Sequence, residues 1–450
     1  MNVICVAGVR RYSRFLGCWI LFGFLAVPGG VRAAPQEQQQ TQPAGVIHPP
    51  GEPSEATPTP LSVLIEEAET NDPAILAAGE AVRAAAQRPA QASALPDPHF
   101  MVQEFTVGSP KPFAGWTNSD FAYLGFGASQ ELPYPGKRRL RGAVAERETD
   151  VRRQNVEMVR RDEIEKLRAA YFRLAYLQQT LAILQHNDAL VQEMAQAAEA
   201  RYRVGRGNQQ DLLKAQLQHS KILREISVNR EQSGEAEAEA KRILRRRQDS
   251  PDIIAEPLAI APLPVTPAAL LDRAREQSPD IRERGAMIHK SEAEVDLARR
   301  EFRPDFGLSY IWQRTDPAHY RAYYMFTFDV NFPRRKPREA ALAEANSNVE
   351  RAHREQETQM QEELAEVKKQ IVVVQASDEQ ARIYREGLIP QAQATFEAGM
   401  AAYESGREDF ESLLSAVVDV LNLSLEYQQT LLDHQLALTR IERVTGGLLP

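Results

Sequence analysis

This sequence predicts a mainly helical fold with a small β part, built from two copies of one unit: helix, two strands, very long helix, returning helix. Three observations predict it. The 450 residues are rich in Ala, Glu, Gln, Arg and Leu, with 7% aromatic residues and a mean hydropathy of −0.44. That mix favours long helices with a narrow apolar seam. Apolar residues recur at three- and four-residue steps over stretches longer than ordinary helices, while two short stretches in each half alternate residue by residue. The same landmarks occur twice, in the same order.

The N-terminus reads as a secretion signal over residues 1–33. Arg10, Arg11 and Arg14 precede an apolar run from Phe15 to Val27; Pro28-Gly29-Gly30 breaks it, and Val31-Arg32-Ala33 offers a small-residue cleavage site. The run is too short for a comfortable transmembrane helix, and no later stretch is long enough. Cys5 and Cys18 are the only cysteines and both lie in the signal. A mature chain would then have no disulfide and no thiolate metal site. Cys18 follows Phe15-Leu16-Gly17, a faint lipoprotein-like box, and Arg10-Arg11 hints at a twin-arginine signal; an ordinary secretory signal is the simpler reading. Residues 34–60, rich in Gln, Pro and Thr, read as a disordered tail.

A Pro-rich connector over residues 249–266, with Pro251, Pro257, Pro262 and Pro264, divides a first repeat (61–248) from a second (267–450). Asp72-Pro73-Ala74-Ile75 matches Ser278-Pro279-Asp280-Ile281, and Pro98-His99-Phe100 matches Pro304-Asp305-Phe306. Leu132-Pro133 matches Phe332-Pro333; Tyr202, Gly205, Leu212 and Leu213 match Tyr403, Gly406, Leu413 and Leu414. The period is about 200 residues.

Each repeat opens with a medium helix, expected over 61–94 and 267–301. Two strands follow, at about 99–108 and 121–131, then 305–314 and 322–332. A very long helix comes next, over 138–203 and 338–404, and a second helix returns after a Gly-containing turn, over 209–247 and 408–445. In the first long helix Leu167, Tyr171, Leu174, Leu177, Leu181, Leu184, Val191, Met194 and Ala198 form a coiled-coil seam. At 1.5 Å per residue such a helix is roughly 100 Å long, a length suited to crossing a wide aqueous compartment.

The clearest strand runs from Tyr323 to Phe332. Tyr324, Phe326, Phe328, Val330 and Phe332 share one face; Tyr323, Met325, Thr327, Asp329 and Asn331 share the other. Phe306, Leu308, Tyr310 and Trp312 show the same period, and Ala122, Leu124, Phe126 and Ala128 a weaker apolar face against Gly125, Gly127 and Ser129. An apolar face against a partly polar one is what a lipid-facing barrel strand needs. The competing reading is a soluble hairpin packed on the helices. Four strands cannot close a barrel, and lipid does not tolerate open edges, so the barrel reading requires several copies to share one barrel. The sequence itself does not count them.

At this point the residues resemble the TolC family of outer-membrane efflux proteins, over about residues 61–445. Leu132-Pro133-Tyr134-Pro135-Gly136-Lys137-Arg138 looks like the family's strand-to-helix exit. Arg201-Tyr202-Arg203-Val204-Gly205, with Asp211-Leu212-Leu213-Lys214-Ala215-Gln216, looks like its helix-tip signature. The resemblance implies a homotrimer with a 12-stranded outer-membrane β-barrel continued by a periplasmic α-helical barrel. It implies passive export of small molecules or metal ions, with an inner-membrane pump and a periplasmic adaptor (membrane fusion protein) gripping the helix tips. The exit motif and the Leu95-Pro96-Asp97-Pro98 lead-in look most like the heavy-metal branch, whose pump is of the resistance-nodulation-division type.

The expected adaptor contacts are Val204, Gly205, Arg206 and Gly207 in the first tip and Ser405, Gly406 and Arg407 in the second. The glycines also have a plain reading as turn residues tolerating positive φ. The resemblance implies a periplasmic gate of tyrosines and acidic rings near the second tip, where Tyr403 matches the tyrosine. Ser412 and Ser415 stand where aspartates are expected; Glu408, Asp409 and Glu411 are close by and would favour cations if repeated in a ring. Their competing reading is an ordinary acidic helix start. Tyr324, Phe326, Phe328 and Val330 are the expected contacts with outer-membrane lipid. Lys137, Arg138, Arg139 and Arg141 follow a strand and read as a solvated basic patch, or as residues setting the junction near anionic head groups.

No cofactor, metal or catalysis is expected. The eight histidines are scattered and no Ser motif resembles a nucleophile elbow. The formal charge of −8 argues against nucleic acid as a partner. Two other function classes stay open on the residues alone: a soluble periplasmic coiled-coil adaptor or scaffold, and a type I duct for secreted proteins.

Overall fold

Proline and glycine decide where the helices of this chain stop. The structure, a computed structural model, describes residues 58–106, 122–260, 263, 265–315 and 321–447. These lie in the unit Ala56–Pro450. The expected signal, and residues 34–57 of the expected tail, fall outside the described residues. The first repeat contains α1 (Leu61–Asn71), α2 (Pro73–Ala85), α3 (Arg88–Ala92), β1 (His99–Phe105), β2 (Tyr123–Leu132), α4 (Lys137–Arg203) and α5 (Gln209–Ile243). The second contains α6 (Pro267–Gln277), α7 (Pro279–Arg300), β3 (Asp305–Thr315), β4 (Arg321–Asn331), α8 (Arg335–Ile383), a π-helical turn (Tyr384–Leu388), α9 (Ile389–Glu404) and α10 (Phe410–Thr445).

The medium helices are not continuous as expected. The Asp72-Pro73 and Ser278-Pro279 pairs that mark the repeats are helix boundaries. Proline opens α2 and α7 at a position where its missing N–H is not needed. Asp72 caps α2 by accepting from Ala74 N at 2.7 Å and Ile75 N at 2.9 Å. The connector is docked. Thr59 N donates to Ile254 O at 2.9 Å, Tyr171 Oη donates to Thr59 O at 2.9 Å, and Glu256 N donates to Tyr171 Oη at 2.8 Å. Thr59 and Pro60 therefore belong to the ordered chain rather than to the tail.

The predicted seam of α4 is buried except at Leu181, which is partly covered. Its 67 residues span about 100 Å. Three apolar clusters divide the helical part. One joins α1, α4, α5 and the connector through Leu64, Leu167, Tyr171, Ile243 and Ile253. Its counterpart in the second repeat uses Leu270, Val367, Ile371, Val374 and Ile441. The third is shared by both repeats towards the tips and contains Met194, Ile222, Phe396, Tyr403, Phe410 and Leu413. No helix among the described residues is long and apolar enough to cross a membrane.

The halves diverge at a buried carboxylate. Glu163 pairs with Lys166 at 2.7 Å and Arg242 at 3.2 Å. Its counterpart Glu363 accepts from Gln359 Nε2 at 2.9 Å, and burial, reinforced by repulsion from Asp280, raises its pKa. A carboxylate raised on folding binds its proton more readily in the native state, so its contribution to stability is lost as pH rises through that range. Glu363→Gln is therefore expected to raise the unfolding midpoint at pH 7, and the advantage should vanish near pH 4, where wild type is protonated too. Thermal unfolding at the two pH values measures this; a lower midpoint at pH 7 would contradict it.

The four strands form one antiparallel sheet in the order β1-β2-β3-β4, so β2 and β3 join the repeats. The register puts Phe100, Val102, Phe126, Tyr310, Trp312, Tyr324, Phe326 and Phe328 on one face. The outer edges of β1 and β4 have no partner strand among the described residues.

Candidate functional site at the helix tips, strand sheet and junction

Both hairpin tips are built by the same backbone device. In the first, Gly205 N donates to Tyr202 O at 3.0 Å and Arg206 N to Arg201 O at 2.9 Å. In the second, Gly406 N donates to Tyr403 O at 3.0 Å and Arg407 N to Ala402 O at 2.9 Å. This paired closure satisfies the last helical carbonyls and requires a left-handed residue. Gly205 and Gly406 supply it, with φ of 70° and 78°. Gly207 is needed for a different reason, since a Cβ there would lie 2.8 Å from Tyr202 N. The returning helices are capped alike: Asn208 accepts from Gln210 N at 3.1 Å and Asp409 from Ser412 N at 2.9 Å.

Side chains make the tips unequal. Tyr202 is exposed, whereas Tyr403 is 1% exposed. Its ring lies edge-on to Phe410 with centroids 5.6 Å apart, and the Arg201 guanidinium sits 4.3 Å above it. Arg201 also donates to Tyr403 O, and Lys214 pairs with Glu411. The first tip thus clasps the second through two cations. Burial, then the nearby Asp211 carboxylate, raises the Tyr403 phenol pKa, which keeps it neutral. Asp409 is lowered by its bond from Ser412 N and stays ionised. Of the expected gate residues, Asp409 and Glu411 are exposed, Glu408 is half-buried, and Tyr403 is packed inside its own chain. Val204, Gly205, Arg206, Ser405, Gly406 and Arg407 are all exposed and Gly207 half-exposed. Sequence reasoning passed over Arg201 and Lys214 as site residues, because their partners lie about 200 residues away in sequence.

The sheet carries an apolar face open to its surroundings. Phe100, Tyr324, Phe326, Phe328 and Phe332 are each more than 60% exposed, and Val330 is 37% exposed. Tyr310 and Phe326 pack at 4.9 Å, Phe126 and Trp312 at 6.0 Å, and Phe306 and Phe328 at 5.7 Å. The opposite face has Gly125, Gly127, Ser129, Gln313, Thr327 and Asp329. An exposed face this rich in aromatic residues, with Glu104, Gln130 and Arg314 as its polar members, is foreign to a water-soluble surface.

The junction corrects one expectation. Lys137 is not part of a solvated patch: its side chain is 1% exposed and pairs with Asp305 at 2.9 Å and Glu301 at 3.1 Å. Asp305 also accepts from Tyr134 N at 2.8 Å, and Arg141 pairs with Glu301 at 3.2 Å. Arg300 donates to Pro135 O at 2.7 Å and covers the Tyr134 ring at 5.0 Å. Gly136, with φ of 96°, turns the chain beneath that arginine. The exit of the first repeat is thus pinned to α7 and β3 of the second. Among the described residues no group of His, Cys, Asp and Glu side chains is arranged to hold a metal ion.

The profile of the outer membrane efflux protein family matches residues 64–244 and 270–447, one match per repeat. No curated protein matches the chain. Several solved structures share the fold at low identity. The outer-membrane channel OprN is 19% identical with a TM-score of 0.73, covering 86% of this chain and 90% of its own. CusC, whose structures describe transmembrane channel formation, is 17% identical with a TM-score of 0.72, covering 86% and 92%. The outer membrane protein VceC from Vibrio cholerae is 17% identical with a TM-score of 0.70, covering 87% and 97%.

Proposed function

The chain belongs to the outer membrane efflux protein family, and from that premise we propose that it is one subunit of a homotrimeric duct exporting small molecules or metal ions to the cell exterior. Members of the family are passive channels rather than enzymes, and they work with an adaptor and an inner-membrane pump. The observation that supports shared assembly is that both layers have open edges among the described residues; the count of three rests on the family resemblance. Among the described residues β1 and β4 end the sheet without partner strands. In the helical layer α5 packs chiefly on α4, α4 also contacts α10, and α10 also contacts α8 and α9. The two outer helices expose apolar residues: Leu213, Leu217 and Leu223 on α5, Val372 and Ile383 on α8. Pairing β1 of one copy with β4 of the next, and α5 with the next copy's α8–α9, closes both layers together. Three copies, the number the family resemblance implies, supply twelve strands, above the minimum of about eight for a closed barrel.

In this reading the aromatic face meets outer-membrane lipid, the long helices cross the periplasm, and the exposed tip residues meet the adaptor. The pump is of the resistance-nodulation-division type, on the resemblance of the exit motif. Detergent purification, mass measurement and planar-bilayer conductance test the duct: a trimer with stable conductance is expected, and a soluble periplasmic monomer would overturn it. Glu408, Asp409 and Glu411 form the acidic mouth. Asp409→Asn keeps a competent helix cap while removing charge, so its effect reports the ring alone. Together with Glu408→Gln it should roughly halve the cation-to-anion permeability ratio; an unchanged ratio would remove both residues from the mouth.

A further inference from the structure

The second long helix contains one residue more than the first, and the structure shows where it went. On the junction side, buried positions of the two long helices stand 200 residues apart: Glu163 and Glu363, Leu167 and Val367, Leu174 and Val374, Leu177 and Ser377. At the tips the spacing is 201, from Ala198 and Gly399 to Gly205 and Gly406. The returning helices keep 201 throughout, with Ala215 and Ala416, Ala236 and Ala437, Ala240 and Ile441, and Ile243 and Val444 all buried. The extra residue therefore lies between Ser377 and Gly399.

One residue added to an α-helix rotates everything beyond it by about 100°. The seam would then face the core on one side of the insertion only. The π-helical turn at Tyr384–Leu388 takes up the excess: Ile389 N donates to Tyr384 O, five residues back, and the seam is restored on both sides. The turn is held lightly. Pro390 brings no N–H, so a carbonyl in the turn lacks its helical donor. A Cβ built on Gly387 would meet nothing within 4 Å, so that glycine is not there for packing, and it weakens the helix. The described side-chain ties to α10 both come from Tyr384, whose Oη donates to Glu426 Oε2 at 3.0 Å and whose ring lies 6.5 Å from that of Tyr427. In the first repeat α4 runs through the matching segment, residues 183–188, without a break.

We infer that the turn Tyr384–Leu388 is a built-in pivot, about which α9 and the second tip bend when the Arg201 and Lys214 contacts between the tips release, while the first tip stays on its unbroken helix. Its use in opening the periplasmic end rests on the duct reading; its local opening does not. Hydrogen exchange on the full chain in detergent tests it directly. Amides of residues 385–392 should exchange about 100-fold faster than those of 184–191 in α4. Deleting Gly387 removes the excess residue and should bring them within about tenfold of α4. Pro390→Ala keeps the residue count and should leave most of the difference in place. Equal protection of the two segments in wild type would overturn the pivot, and so would loss of the difference in Pro390→Ala alone. Both outcomes are independent of whether the protein conducts; the mass and conductance measurements decide that separately.

Discussion

Phe326→Arg should abolish assembly of the chain in the outer membrane while leaving its helical part able to fold. Phe326 is 75% exposed at the centre of the aromatic face, with Tyr310 beside it at 4.9 Å. In water, an arginine at so open a position would cost little, and it would relieve an exposed aromatic patch. Against hydrocarbon the sign reverses: a cationic side chain on the lipid face near mid-depth costs about 2–4 kcal/mol. Each subunit of the assembly pays it, so in a trimer the total reaches roughly 6–12 kcal/mol. Thr327→Arg, one residue on and facing the other way, is the control and should be tolerated. Measuring both variants as detergent-extracted oligomer from outer-membrane fractions separates the two readings of the sheet. If Phe326→Arg assembles as well as Thr327→Arg, the face does not meet lipid.

Long-range order was legible in the sequence wherever a period repeated many times. The seam from Leu167 to Ala198 is buried but for the partly covered Leu181, and the register sorts Tyr324 to Val330 onto alternate faces of the sheet as the sequence period demands, although both faces stay open. The tip glycines were legible for a local reason, since few other residues accept their φ. Single features that interrupt a period were missed. Pro73 and Pro279 sit within runs of otherwise helix-forming residues, but their backbone chemistry makes them first residues of new helices. The π-helical turn is signalled only by the change of repeat spacing from 200 to 201, since one extra residue leaves the local helical composition unaltered. Charge is the hardest to read. Lys137 sits in a run of basic residues, and nothing local distinguishes the buried one from its neighbours. Its partners Glu301 and Asp305 come from the other repeat. Arg201 is a similar case at the tips.

That burial makes Lys137 the central cation of the junction between the two repeats. Its ammonium is enclosed between Glu301 on the α7–β3 link and Asp305 at the start of β3, while its own helix, α4, begins the first long column. Lys137→Met preserves most of the volume and removes the charge. Two carboxylates are then left facing each other without their shared cation. Removing one partner of a fully buried pair costs about 3–5 kcal/mol. Glu301 is 18% and Asp305 34% exposed, so solvent screens part of this and about 2–3 kcal/mol is expected. Arg141 pairs with Glu301 as well and softens the loss on that side. The variant should unfold at lower temperature and yield less assembled protein. The cause can be separated from lost packing: adding Glu301→Gln and Asp305→Asn removes the stranded charges and should restore much of the stability. If the triple variant is no better than Lys137→Met, the lysine acts through its aliphatic stem and the ion pairs contribute little. If it recovers, the charge of the buried lysine, alongside the Arg141, Arg300 and Tyr134 contacts, helps to hold the start of α4 against the second repeat.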